Sequence, residues 1–163
     1  MLVMIYIDMD GVLTDFVSQI KKFFDYDLKH NQKLTDENII NSIKKDSEFW
    51  NEMRRTDIAP HILQNISNPF MIVSCYYNDL VKECKFDFIS NSDVVRISNF
   101  QGIIFVPIGT RKADIVKPQP NDLLIDDNHK EIEAWQTAGG QAYHITPDFD
   151  IEHFKKFMEE YNE

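Results

Sequence analysis

The run Leu2-Val3-Met4-Ile5-Tyr6-Ile7 is apolar at every position and stops on a carboxylate, Asp8. A strand with one wet face alternates apolar and polar residues. A run without alternation therefore predicts a strand covered on both faces, as in a parallel sheet between layers of helix. Similar runs recur at 70–73 behind Pro69, at 103–106, at 123–125 and more weakly at 142–145. The segments between them carry helical spacing instead. Leu80, Val81, Cys84 and Phe88 follow Asn78; Ile132 and Trp135 follow Asn128, with Glu131 as the other half of a capping pair and Gly139-Gly140 as the stop. From Ile151 onward, Phe154, Phe157, Met158 and Tyr161 trace an amphipathic terminal helix. Strand and helix alternate, which predicts an α/β fold built on a doubly wound parallel sheet.

One interval breaks the alternation. Residues 16–60 hold no strand pattern but three helical stripes: Phe16, Val17, Ile20, Phe23 and Phe24; then Ile39, Ile40 and Ile43 behind Thr35 as the cap; then Phe49, Trp50 and Met53. This is too long for a single crossover. The reading is a small helical cap, 16–60, inserted between strands one and two of a core made of 1–15 and 61–163, with no internal repeat or low-complexity linker.

At 163 residues, with 43% hydrophobic and 27% charged residues, the chain has the balance of one domain. Such a chain buries about 70% of its unfolded surface, enough for a core without disulfides or a structural metal. Its net charge of −10 repels phosphodiester backbones, so nucleic acid is not expected as a partner, and a phosphate ligand has to be held by local positive charge. Cys75 and Cys84 form no disulfide framework and lack zinc-site spacing, which fits a reducing compartment and a cytoplasmic location. No targeting or membrane segment is read in the chain. A homodimer is compatible with it.

Three features fall where the C-terminal ends of parallel strands are expected, the place at which open α/β sheets bind ligands. They are Asp8-Met9-Asp10-Gly11-Val12-Leu13-Thr14, Ser74, and the pair Asp126-Asp127; Lys112 precedes the last of these strands. Clustered carboxylates repel unless a hard cation sits among them, and oxygen-only ligands in small number favour magnesium. With that charge in place, one carboxylate can attack phosphorus while a second, two residues on, delivers a proton to the leaving oxygen. Ser74 and Lys112 would hold the phosphoryl oxygens.

The stretch Asp8-Met9-Asp10-Gly11-Val12-Leu13-Thr14 resembles motif I, DxDGxxx, of the haloacid dehalogenase superfamily. Ile72-Val73-Ser74 resembles its motif II, Lys112 its motif III, and Leu123-Leu124-Ile125-Asp126-Asp127 its motif IV, so the likeness spans residues 2 to about 145. Within the superfamily the chain is most similar to the 5′(3′)-deoxyribonucleotidases, whose helical cap also lies between motifs I and II. The resemblance implies Asp8 as the nucleophile that forms an aspartyl-phosphate. It implies Asp10 as general acid and base with its main-chain carbonyl on the metal, Asp127 as direct metal ligand, and Asp126 as support for the metal shell. It also places an aromatic, Phe16, against the substrate's base, where stacking would hold it. Lys117-Pro118 is close to the motif III of other superfamily phosphatases, and Lys112 is preferred over Lys117. Motif II departs from the family in its Cys75-Tyr76-Tyr77-Asn78 continuation.

Gly11, Phe16, Phe49, Trp50 and Cys75 complete the candidate substrate wall, although aromatics at helical spacing are more often core. Cys75 has no histidine tied to it by a local motif and reads as a buried small side chain rather than a nucleophile. His61, His129 and His144 show no zinc-hydrolase spacing, and the pairs Lys21-Lys22 and Lys44-Lys45 read as solvated faces. The expected activity is magnesium-dependent hydrolysis of a nucleoside monophosphate. The rivals are a phosphatase of another small ester, such as a sugar phosphate or a nucleic-acid 3′ end, and a non-catalytic phosphoryl-receiver module.

Overall fold

A computed structural model describes residues 3–29 and 32–162. Five strands, β1 (Ile5–Asp8), β2 (Phe70–Tyr76), β3 (Phe100–Pro107), β4 (Leu123–Asp126) and β5 (Gln141–His144), form one sheet in the order β3-β2-β1-β4-β5. All four pairings are parallel, with Ile7 beside both Ile72 and Ile125 at the centre. The chain builds outward from β1 to β3, then returns to β4 on the other side of β1. That reversal opens a crevice beyond the carboxyl ends of β1 and β4, the switch point at which such sheets bind ligands. Every apolar run expected to be a strand is one. Leu2, counted in the first run, lies outside the described residues.

Both faces of the sheet are covered, which is why the runs do not alternate. The helices that follow β2 are α5 (Asp79–Ser90), α6 (Lys112–Val116), α7 (His129–Thr137) and α8 (Ile151–Asn162). Ile5, Ile7, Ile72, Leu123 and Ile125 pack on one side with Phe154 and Met158 of α8, and Val73 and Leu124 pack on the other with Ile132 and Trp135 of α7. Asn78 and Asn128 cap α5 and α7 as the sequence predicts, their side chains accepting from the N–H groups of Val81 and Lys130. None of the helices among the described residues is long and apolar enough to cross a membrane.

Between β1 and β2 lie α1 (Phe16–Phe24), α2 (Glu37–Ile43), α3 (Ser47–Asn51) and α4 (Ala59–Gln64). The first three share a core of their own, Ile20, Ile43, Phe49, Trp50 and Met53, closed on one side by Val81 and Cys84 of α5. The cap of α2 is Asp36 rather than Thr35. Its carboxylate accepts from the N–H groups of Asn38 and Ile39, and a negative charge suits a helix N-terminus better than a hydroxyl. The fourth helix was not anticipated. It is too short for a periodic signal, and Pro60 looks like a stop although proline is well tolerated in a first turn. Its Ala59, Ile62 and Leu63 join the sheet core, not the core of the first three helices.

The chain leaves and re-enters the sheet layer through a two-stranded strap. Asp15 donates its N–H to the Arg54 carbonyl at 2.8 Å, Thr56 donates its own to the Leu13 carbonyl at 3.0 Å, and Thr14 and Arg55 form an antiparallel bridge between these bonds. The strap starts at Leu13, within the loop that follows Asp8, so the base of the helical segment is tied directly to the carboxylate loop.

Candidate active site

The loop after β1 is a tight wrap. The Met9 carbonyl accepts the N–H groups of Leu13 and Thr14 at 2.8 and 2.9 Å, and Gly11 donates to the Thr14 carbonyl at 2.8 Å. Gly11 has φ +87°, a left-handed conformation that favours glycine, and a Cβ there would collide with the Asp127 carboxylate. Gly11 thus brings the loops after β1 and β4 together, whether or not it touches a ligand.

Lys112 opens α6 and is buried, and its Nζ lies 2.5 Å from Asp8 Oδ1 and 2.6 Å from Asp126 Oδ2. The other oxygen of Asp126, which is 0% exposed, accepts the Asn128 N–H at 2.8 Å. Burial pushes the Asp8 carboxyl well above the usual carboxylate range, with Asp126 reinforcing the rise and Lys112 opposing it. Burial also works against the Lys112 charge, yet Asp126 and Asp8 outweigh it and hold that ammonium well above the ordinary lysine value. Asp8, Asp126 and Asp127 each offer one oxygen within 4.8 Å of the others. Three clustered carboxylates, two of them bonded to Lys112, bring more acid groups than cations into a confined space. That donor set fits a hard divalent cation.

The position of Lys112 depends on Glu131, which corrects an expectation. Glu131 is buried and does not reach back to cap α7. Its Oε2 accepts the backbone N–H of Lys112 at 3.0 Å, and its Oε1 pairs with Arg111 at 3.1 Å. It thereby supplies the acceptor at the start of α6, where Arg111 makes no side-chain cap bond. Lys117 ends the same helix, exposed and with φ 54°, so of the two motif III candidates only Lys112 lies among the carboxylates.

A second acid–lysine pair stands beside the first. Asp10 Oδ2 is 2.6 Å from the Nζ of Lys85 on α5, and Asp10 Oδ1 accepts from the Thr14 hydroxyl at 2.9 Å. The same Nζ donates to Ser74 Oγ at 3.0 Å and to the Cys75 carbonyl at 2.5 Å, and it sits 5.0 Å above the Trp50 ring. Sequence reasoning missed Lys85. The signal was its place four residues after Val81 and four before Ile89, in the middle of the buried stripe of α5. A lysine on such a stripe, with no charge partner on its own helix face, has to find an acid on another element.

The aromatic candidates divide. Phe16 is half-buried, edge-on to Phe49 and stacked on Trp50 with centroids 5.9 Å apart. Phe49 is wholly buried against Phe23, Phe24 and Trp50, and Trp50 donates its indole N–H to the Ile43 carbonyl at 2.8 Å. Contrary to the sequence reading of a substrate wall, these two are core of the helical segment, as aromatics at helical spacing usually are. Cys75 is half-buried, and burial pushes its thiol up to about 11 despite the nearby Lys112 charge, so it is a poor nucleophile. His144 bonds the Asp127 carbonyl at 3.0 Å from the end of β5.

No family profile and no curated protein matches the chain. Solved structures do. A haloacid dehalogenase-like hydrolase from Streptococcus pneumoniae aligns with TM-score 0.62 at 17% identity, covering 96% of this chain and 90% of that one. The HAD-hydrolase YfnB from Bacillus subtilis, solved bound to magnesium, aligns with TM-score 0.60 at 14% identity, covering 96% and 98%. A HAD-family enzyme from Bacteroides thetaiotaomicron, solved with magnesium and inorganic phosphate, aligns with TM-score 0.52 at 14% identity, covering 94% and 99%. At these identities the likeness is one of architecture: the fold is the HAD-like Rossmannoid α/β fold.

Proposed function

We propose that the protein is a magnesium-dependent phosphomonoesterase of the haloacid dehalogenase type that hydrolyses a nucleoside monophosphate through an aspartyl-phosphate, with the helical segment 16–60 as a lid. The observation that carries this reading is the cluster of Asp8, Asp126 and Asp127 at the switch point of the sheet, with Lys112 bonded to the first two and Asp10 two residues after Asp8. Asp8, Asp126 and Asp127 would hold the magnesium with the Asp10 carbonyl. Once bound, it would supply the positive charge that lets a phosphate dianion approach carboxylates on an acidic protein.

An Asp8 oxygen forms a bond to phosphorus as the ester P–O bond breaks, and Asp10, entering the step as the neutral acid, gives its proton to the departing oxygen and is left as the carboxylate that Lys85 pairs with. Water then attacks phosphorus, Asp10 takes the water's proton, and the bond from phosphorus to Asp8 breaks, returning both acids to their starting states. Lys112 opposes the burial that would neutralise Asp8, and with Ser74 it offers positive or hydrogen-bonding contact to the phosphoryl oxygens. Phe16, half-buried at the start of α1, would be the aromatic for a base to stack on. The burial of Phe49 and Trp50 favours a second reading, in which the leaving group is a small sugar or polyol that needs no stacking wall.

Phosphate release from a panel of nucleoside 5′- and 3′-monophosphates and sugar phosphates, with magnesium or with chelator, tests both readings. Magnesium-dependent release strongest on nucleotides supports the first, and release strongest on sugar phosphates supports the second. Chelator-resistant release, or none, rejects both.

A further inference from the structure

We propose that Lys85 is a positioning residue for proton transfer, holding Asp10 and Ser74 in the reacting geometry beneath the lid; this rests on the phosphatase reading. The ammonium has three N–H donors and three acceptors at bonding distance: Asp10 Oδ2 at 2.6 Å, Ser74 Oγ at 3.0 Å and the Cys75 carbonyl at 2.5 Å. Its hydrogen-bonding capacity is used within the protein, so it orients side chains rather than binding a substrate. The acceptors come from two different strand ends, after β1 and within β2, and α5 delivers the lysine from a third element. One side chain thus sets the relative position of the proton-handling acid and the hydroxyl expected to touch the phosphoryl group.

Asp10 is held on both sides, because its other oxygen takes the Thr14 hydroxyl from the strap at the base of the lid. Trp50, on lid helix α3, covers Lys85 with its ring 5.0 Å from the ammonium. A lysine that is 3% exposed, beneath an aromatic face and paired with a carboxylate, keeps its three bonds free of competing water. The seating of the lid and the aim of Asp10 are therefore linked through two residues, Lys85 and Thr14.

The test uses esters that differ in their need for a proton. Departure of an alkoxide requires one from Asp10, whereas p-nitrophenolate leaves with little help. In Lys85→Met, kcat/KM for β-glycerophosphate should fall on the order of 100-fold, the usual size of one acid–base contribution, and that for p-nitrophenyl phosphate much less. Thr14→Val should show the same ester-selective loss on a smaller scale, and it serves alone if Lys85→Met does not fold. Equal losses on the two esters, or no loss, overturn the proposal, since a role in packing alone would not distinguish leaving groups. Wild-type protein that releases phosphate neither from these esters nor from the nucleotide and sugar-phosphate panel with magnesium removes the phosphatase reading itself, and the inference with it.

Discussion

Two acid–lysine groups lie side by side in this molecule and are built in different ways. Asp8, Lys112 and Asp126 stand wholly on the sheet layer, at the ends of β1 and β4 and the start of α6, with Glu131 of α7 fixing the lysine from behind. Asp10 and Lys85 straddle two layers. The acid is tied to the strap of the helical segment through Thr14, and the lysine is covered by Trp50 of that segment. The first group is preorganised by the fold alone. The second draws its hydrogen bonds from the loop after β1, from β2 and from α5, but its cover, the Trp50 ring, comes from the helical segment. On the proposed function, such a chain would keep a phosphate site fixed by the core while proton transfer answers to the helical segment.

Of the two lysines, Lys112 is the more costly to lose. Lys112→Met should cost at least about a thousandfold in kcat/KM, because it leaves Asp8 and Asp126 buried without their cation, while Lys117→Met should change kcat/KM by less than about twofold. Steady-state kinetics on the two variants checks this, and comparable losses would dissolve the distinction between the two lysines. Next comes the core beneath the second group. Phe49→Ala should destabilise by about 3–5 kcal/mol in denaturant unfolding, as loss of a fully buried aromatic does, and a cost near zero would mean that Phe49 faces a ligand space after all.

Glu131→Gln keeps the shape but weakens both bonds to the start of α6. Thermal unfolding should report a loss of about 1–3 kcal/mol, with a fall in kcat and little change in KM. The smallest effect concerns Cys75. With its thiol at about 11, the protonated form prevails below that pH. Its alkylation by iodoacetamide, followed by peptide mass spectrometry, should rise about tenfold per pH unit from 7 to 9 without a plateau, and Cys75→Ala should leave kcat/KM within about threefold. A plateau in that range would show a reactive thiolate.

Much of the first group was legible in the sequence and little of the second. The strands showed as unbroken apolar runs because both faces of a parallel sheet are buried, and Asp8, Asp126 and Asp127 follow directly from where those runs stop. Lys112 was identifiable only through the likeness of its surroundings to a motif. Lys85 was hidden because its partners are 75 and 11 residues away, and no local period marks a contact across elements. Glu131 was misread for a related reason: its spacing from Asn128 fits a capping pair, yet the unsatisfied N–H of Lys112 and the charge of Arg111 compete for the same carboxylate and win. Phe49 and Trp50 looked like a ligand wall on sequence position, whereas three short helices cannot form a core without them.

The central claim is that Asp8 carries the phosphoryl group, and the most direct test is to trap it. Acid quenching during turnover of p-nitrophenyl phosphate with magnesium, followed by peptide mass spectrometry, should place a phosphoryl group on the peptide containing Asp8, and Asp8→Asn should show neither that adduct nor turnover. Turnover without any adduct, or phosphate release undiminished in Asp8→Asn, would contradict the account.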